Sequence, residues 1–265
     1  MVIKNIASGS SGNVTYVGTD STHILIDSGV SRKRISDGLA ELGLKIKDLD
    51  AILVTHEHID HISSIGVIER SAQIPIYATR GTLDGIRNTK SLGEFDKDVM
   101  FYVEAEQNYR IGDIEICPLS VSHDANEPVC YKVENNGRSF AVVTDLGVYD
   151  EHLIGRLMGL DGILLEANHD VRMLEVGPYP YPLKQRILGR YGHLSNESCG
   201  RLLAHLLHDN IKYIMLGHLS KENNTRELAK LAVETEIAMA DNDYMPGDFD
   251  IRVAYRDRTS ETVEI

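Results

Sequence analysis

The chain has 265 residues, 42% of them apolar and 25% charged, an ordinary balance for a globular protein long enough to bury a large core. Its 27 basic residues against 40 acidic ones leave a net charge of −13, which excludes a protein that coats nucleic acid through an overall basic surface. A nuclease stays open, because bound metal ions bring positive charge locally and a basic patch can coexist with an acidic body.

Taken in chain order, short β-rich apolar runs predict strands at 24–26, 51–54, 74–78, 114–121, 139–144, 162–165 and 211–216. Helical patterns fall between some of them. Leu202, Leu203, Leu206 and Leu207 form one apolar stripe after Ser195 or Asn196, either of which is a plausible N-cap. Leu228, Leu231 and Ala232 form another, with Asn224 and Glu227 spaced as a capping pair. Strands alternating with helices imply layered α/β architecture. No repeat, low-complexity segment or linker marks a boundary, so residues 1–265 read as one domain. Between Glu234 and Asp250 six carboxylates occur with no Lys or Arg, a solvated stretch.

The 3 cysteines, Cys117, Cys130 and Cys199, have no zinc or redox spacing, and such sparse use suits a reducing compartment. Met1 to Asn13 lacks the apolar core of a signal peptide, and no apolar run approaches a membrane span. A soluble, cytoplasmic protein without membrane contact is expected.

The polar residues that follow the strands are the informative ones. Asp27, His56, His123, Asp145, the pair Glu166 and His169, and His218 each sit just past a predicted strand, where loops on a rigid scaffold carry function. The densest group is Thr55-His56-Glu57-His58-Ile59-Asp60-His61. On a tight loop His56 and His58 can point one way, while Asp60 and His61 open the next helix and face a second point. Imidazole with carboxylate and no thiolate suits Zn, Mn or Fe. His123 would complete a three-His set, Asp145 can bridge two ions, and His218 would finish the second. Singly, each also reads as a polar loop residue; together they predict two divalent metal ions, Zn first and Mn or Fe next.

These residues, in this order, resemble the metallo-β-lactamase superfamily. The resemblance implies a four-layer αββα sandwich, two sheets flanked by helices, with a dinuclear site on one edge. It implies that Asp27 orients a ligand from behind. Ala7-Ser8-Gly9-Ser10-Ser11-Gly12-Asn13, Leu165-Glu166-Ala167-Asn168-His169-Asp170 and Gly192-His193-Leu194-Ser195-Asn196 resemble the YycJ/WalJ group of this superfamily, which implies a 5′ exonuclease acting on DNA. Glu166, His193 and His218 also follow the order of tRNA 3′-processing endonucleases of the fold, in which a Glu and a His assist the leaving group. The Gly/Pro-rich tRNA-binding arm of those enzymes has no counterpart here. Relatives that dimerise make a homodimer a further expectation of the resemblance.

The expected chemistry is hydrolysis by a dinuclear metal-activated hydroxide. Asp60 would hold the nucleophile's proton, His193 would protonate the leaving oxygen, and Glu166 would orient His193. His193 also reads as a plain helix-start residue. His169 either lines the pocket or bonds within its own loop. Ser10, Ser11 and Asn13 belong to a Gly/Ser loop that can cradle a phosphate or serve as a simple hairpin. Lys184, with Arg186 and Arg190, can track a nucleic-acid backbone or form a charged helix face. The rival substrate class is small esters, lactones or thioesters.

Overall fold

The computed structural model of the protein describes residues 1–94 and 96–265. They divide into two compact units, the first made of 1–120, 125–137 and 255–264, the second of 121–124, 138–254 and 265. The first unit begins with strands β1 (Val2–Ala7), β2 (Val14–Gly18) and β3 (His23–Ile26). It continues through α1 (Arg32–Ala40), β4 (Ala51–Leu53), α2 (Ile59–Ile62), α3 (Ile65–Ala72), β5 (Ile76–Ala78), α4 (Arg80–Asn88) and β6 (Met100–Tyr102). A meander of β7 (Tyr109–Ile111), β8 (Ile114–Ser120) and β9 (Val129–Asn135) follows. The second unit runs β10 (Arg138–Val143), α5 (Glu151–Leu157), β11 (Gly162–Glu166), α6 (Val171–Val176), α7 (Tyr181–Leu188), α8 (Asn196–Leu206), β12 (Tyr213–Gly217), α9 (Arg226–Met239) and β13 (Ile251–Val253). The short strand β14 (Val263–Glu264) returns to the first unit.

In the first unit the sheet order is β14-β1-β2-β3-β4-β5-β6, antiparallel as far as β3 and parallel beyond it. The change of direction follows the chain. Tight connections join β1 to β3, while helices carry the chain across between β3, β4, β5 and β6, as parallel neighbours require. β4 has only three residues, Ala-Ile-Leu, all buried, the uniform apolar pattern of a strand flanked by parallel partners. In the second unit β10, β11, β12 and β13 are parallel neighbours. Register pairs Val143 with Leu165, Leu165 with Leu216, and Glu166 with Gly217. The residues that leave these strands therefore emerge side by side, at the end of a parallel sheet where ligands collect.

All seven predicted strands are present, with ends moved by one or two residues for local reasons. The strand predicted from Ile74 starts at Ile76, because Pro75 has no N–H to give and contributes only its carbonyl, to Ile52 N at 2.8 Å. Ser195, of the two N-cap candidates, caps α8 by accepting from Ser198 N. For α9 the expected capping residue Asn224 is replaced by Thr225, whose hydroxyl accepts from Leu228 N. The Asn224 amide is used instead on the carbonyls of Ala167 and Asn168, at 2.9 and 3.0 Å.

Asp161 organises the opposite end of the parallel strands. Its carboxylate accepts from Ser139 N at 2.9 Å and from the Arg138 guanidinium at 2.6 Å. Its carbonyl accepts from Lys212 N and Tyr213 N. Burial pushes this carboxyl up, but the Arg138 hydrogen bond, the Ser139 amide and the charges of Arg138 and Lys212 outweigh it and hold it below its ordinary value. A carboxyl depressed by folding adds stability above its unfolded pKa and loses it as the pH falls through the folded value. Asp161→Asn is expected to lower the unfolding free energy at pH 7 by about 1.5–3 kcal/mol, the worth of a hydrogen bond to a charged group. Urea titrations repeated toward acid pH should show the difference shrinking; a pH-independent difference would count against this account.

Candidate metal centre

In the first unit the His-rich motif leaves β4 and enters α2, whose N-cap is His58 and whose first turn carries Asp60. His56 and His61 are buried, and His58 and Asp60 are half-buried. Ring centroids lie 4.6 Å apart for His56 and His58 and 4.1 Å for His56 and His61. His56 with His58, His56 with His61, and Asp60 with His61 each bring ligand atoms within 4.8 Å of one another.

Asp27 anchors this group from behind. Its Oδ2 lies 2.7 Å from His61 Nδ1, and its Oδ1 accepts from Thr55 N at 2.8 Å and Thr55 Oγ1 at 3.1 Å. A carboxylate on Nδ1 fixes the proton there and leaves the lone pair on Nε2, the nitrogen that can ligate. Burial raises the pKa of Asp27, and the His61 charge and hydrogen bond work against that rise. Thr55 was not singled out in the sequence; its only signal was its place immediately before His56.

The loop of Ser10, Ser11 and Asn13 lies beside the same group. Ser10 and Ser11 are exposed, whereas Asn13 is buried. The Asn13 amide bonds twice to Gly9 and lies 3.1 Å from His61 Nε2. Its backbone N–H donates to Asp60 O at 2.8 Å, and its carbonyl accepts from Gly29 N at 2.9 Å. Gly29 has no room for a side chain, since a Cβ there would stand 1.6 Å from Asp60 O. Asn13 thus holds the loop against α2, and Ser10 and Ser11 are the members that face solvent.

In the second unit Asp145, Glu166 and His218 emerge together from β10, β11 and β12. Glu166, fully buried, accepts from His193 Nδ1 and His218 Nδ1 through one oxygen, both at 2.8 Å. Its other oxygen accepts from Leu146 N at 2.8 Å and Leu194 N at 3.4 Å. Asp145 lies 3.3 Å from His218 Nδ1, 3.5 Å from His123 Nε2 and 3.6 Å from His193 Nδ1. Asp145, Glu166, His193 and His218 bring ligand atoms within 4.8 Å of one another. His123 is held by Gly192 O, 3.1 Å from its Nδ1.

Burial opposes the charge of Glu166, yet His193 and His218 overturn it and hold this carboxyl well below its ordinary value. Burial likewise disfavours the His193 cation, and Glu166 reverses that, raising His193. His169 is buried, with Nδ1 3.3 Å from Asn168 Oδ1, and burial pushes it down to about 4, so it is neutral at pH 7. Lys184 sits on α7 and donates to Glu175 O at 2.7 Å. The sequence reading missed the buried amides of Asn168, Asn196 and Asn224. Asn168 donates to His218 O at 2.9 Å, and Asn224 binds Asn196; their local sequence, which offered Asn196 and Asn224 only as cap candidates, gave no signal that the three would be buried together.

The donor set suits divalent first-row ions: buried imidazoles with proton positions fixed by carboxylates, further carboxylates, and no cysteine in the clusters among the described residues.

Comparisons with known proteins agree with this chemistry. Residues 22–218 match the family model described as the beta-lactamase superfamily domain. The chain is 44% identical over 236 residues to exodeoxyribonuclease WalJ of Streptococcus pneumoniae serotype 2, covering 89% of this chain and 88% of that protein. It is 40% identical over 228 residues to exodeoxyribonuclease YycJ of Bacillus anthracis, covering 86% of each. In structure it is similar to the metallo-beta-lactamase fold protein YhfI of Bacillus subtilis, with a TM-score of 0.71, 15% identity and coverage of 98% and 99% of the two chains. Zn(2+)-bound PqqB of Methylobacterium extorquens matches with a TM-score of 0.71 and 16% identity over 98% and 100%. The four-layer α/β fold expected from the sequence is the fold of these structures.

Removing the Asp27 carboxylate should release His61. Asp27→Ala is expected to weaken metal binding by about 10- to 100-fold, the usual effect of losing the group behind a ligand. Metal content after dialysis against graded chelator checks this, and unchanged retention would show that His61 needs no such support.

Proposed function

This chain belongs to the metallo-β-lactamase superfamily, and we propose that it is a metal-dependent exodeoxyribonuclease acting from a 5′ end of DNA. The observation that carries the reading is Glu166 bonded to both His193 and His218 at 2.8 Å. One buried carboxylate thereby aligns a candidate metal ligand and a candidate proton donor, and a poor leaving group such as a DNA oxygen needs that donor. The names of the relatives, both exodeoxyribonucleases, support the same substrate.

In this reading two divalent ions, Zn before Mn or Fe, would be held by His56, His58, Asp60, His61, His123, Asp145 and His218. When bound they would supply an acidified water and neutralise charge on the phosphodiester. Asp60 accepts the proton of the attacking water. His193 donates one to the departing oxygen through Nε2, because Glu166 holds Nδ1. Asp27 and Glu166 touch no substrate and keep His61, His193 and His218 in position. Ser10 and Ser11, exposed on their loop, would meet a phosphate.

The first test offers 5′-labelled single- and double-stranded DNA, RNA, bis(p-nitrophenyl) phosphate and a lactone to protein loaded with Zn or with Mn. Metal-dependent release of nucleotides from DNA, absent in Asp60→Ala, is expected. Turnover of the lactone with no phosphodiester cleavage would overturn the substrate in favour of small esters, lactones or thioesters.

The two residues of the Glu166–His193 pair should separate. His193→Ala is expected to keep its metal and lose roughly 10²–10⁴-fold in rate, the range for a general acid. Glu166→Gln should lose metal as well, since His218 also depends on it. A His193→Ala protein with wild-type turnover would remove this residue from the mechanism.

A further inference from the structure

The segment 171–192, which ends one residue before His193, is basic within an acidic chain. It contains four basic residues, Arg172, Lys184, Arg186 and Arg190, against one acidic residue, Glu175, within a protein of net charge −13. It also leaves apolar surface in solvent: Val176 is 85% exposed, Tyr181 72%, Tyr191 59% and Leu188 41%. Helix α7 buries only Ile187. Tyr181, Lys184, Gln185 and Leu188 fall at i, i+3, i+4 and i+7, one outward stripe of that helix. With Glu175 they line a shallow cavity of about 280 Å³.

We propose that this face is a stacking and phosphate-contact surface that holds an unpaired DNA strand leading to His193. The inference rests on the exodeoxyribonuclease reading and adds the form of the substrate. Exposed tyrosines interleaved with cations are the composition that binds single strands: bases stack on the rings and the backbone follows the charges. A base pair hides its faces inside the duplex stack, so such a platform serves a strand that is unpaired where it is held. A protein partner fits less well, because the centres of protein interfaces are depleted of charge, and a second copy would set Lys184 and Arg190 against like charges.

The surface is fixed to the candidate centre of the same unit. Gly192 O contacts His123 Nδ1 at 3.1 Å, Tyr191 O accepts from Asp124 N at 3.1 Å, and Arg190 O accepts from Ser122 Oγ at 2.9 Å. The Arg186 guanidinium is paired with the Asp124 carboxylate, which braces α7 beside His123. Lys184, whose Nζ donates to the Glu175 carbonyl, forms part of the cavity wall.

The test uses metal-loaded protein. With single-stranded oligothymidylate, Tyr181→Ala combined with Tyr191→Ala should raise KM about tenfold or more, from the loss of stacking on one or both rings. kcat should hold, and Tyr181→Phe with Tyr191→Phe should restore KM because the rings remain. Anisotropy with a non-cleavable phosphorothioate strand should give a matching rise in Kd. Arg190→Ala should reduce the slope of log Kd against log salt by about 0.7, one phosphate contact on a single strand. Wild-type KM, Kd and salt slope in these variants would overturn the surface while leaving exonuclease activity intact. If the wild type degrades no DNA, the exodeoxyribonuclease reading fails, and the anisotropy series still decides the surface on its own.

Discussion

Two buried carboxylates, Asp27 in one unit and Glu166 in the other, set the terms for the candidate metal ligands. An ionised carboxylate taken out of water is costly unless each oxygen finds donors. Asp27 finds Thr55 N, Thr55 Oγ1 and His61. Glu166 finds two backbone amides and two imidazoles. The consequence runs outward. Each bonded imidazole must keep a proton on Nδ1, so each turns Nε2 the other way, as a lone pair that can ligate on His61 and His218 and as the nitrogen left to carry a second proton on His193. Ligand orientation is thus a by-product of satisfying a buried charge, and it does not rely on a ring being wedged in place by packing alone.

Backbone geometry serves the same end. Asp27, Asp145 and His218 have φ of 63°, 57° and 53°, the left-handed region that costs a non-glycine residue roughly 1–2 kcal/mol. All three follow strands. A turn of this kind lets the chain leave a strand and bring its next side chain back over the strand end, where continuing extended backbone would carry it away. Glycine would relieve the strain and forfeit the carboxylate or imidazole. The strain is held by specific bonds: Asp27 N to Leu53 O at 2.8 Å, Gly147 N to Ser122 O at 2.8 Å, and Asn168 Nδ2 to His218 O at 2.9 Å.

What the sequence made legible follows from range of interaction. Strands such as β10 and β12 are buried apolar runs, and a run is a local property, so they could be read directly along with the titratable residue beyond each. β1 was not read, because Lys4 interrupts its apolar pattern. Lys4 is nevertheless 3% exposed, with its ammonium at 2.9 Å from Glu41 and bonded to Ser260 O and Thr262 Oγ1. Partners that lie 256 and 258 residues away leave no trace in a local window. β6, β13 and β14 are edge strands of two or three residues, too short for periodicity to show. Within the site, Glu166 was read as the support of His193; its second bond, to His218, depends on β11 and β12 being neighbours in register, which only the fold supplies.

The same distinction between whole and part applies to charge. A net charge of −13 repels a polyanion at distance, yet beyond about one Debye length, about 8 Å at physiological salt, exposed charges are largely screened. What a bound strand meets is the local set. In 171–192 that set is basic and aromatic, and divalent ions on the ligand clusters would add positive charge where the phosphodiester reacts. The acidic surplus, much of it in places such as the six carboxylates between Glu234 and Asp250, then acts as a filter. It discourages nonspecific coating of DNA along the body of the protein and leaves the basic, aromatic segment as the place where a strand is favoured, which suits an enzyme that engages ends.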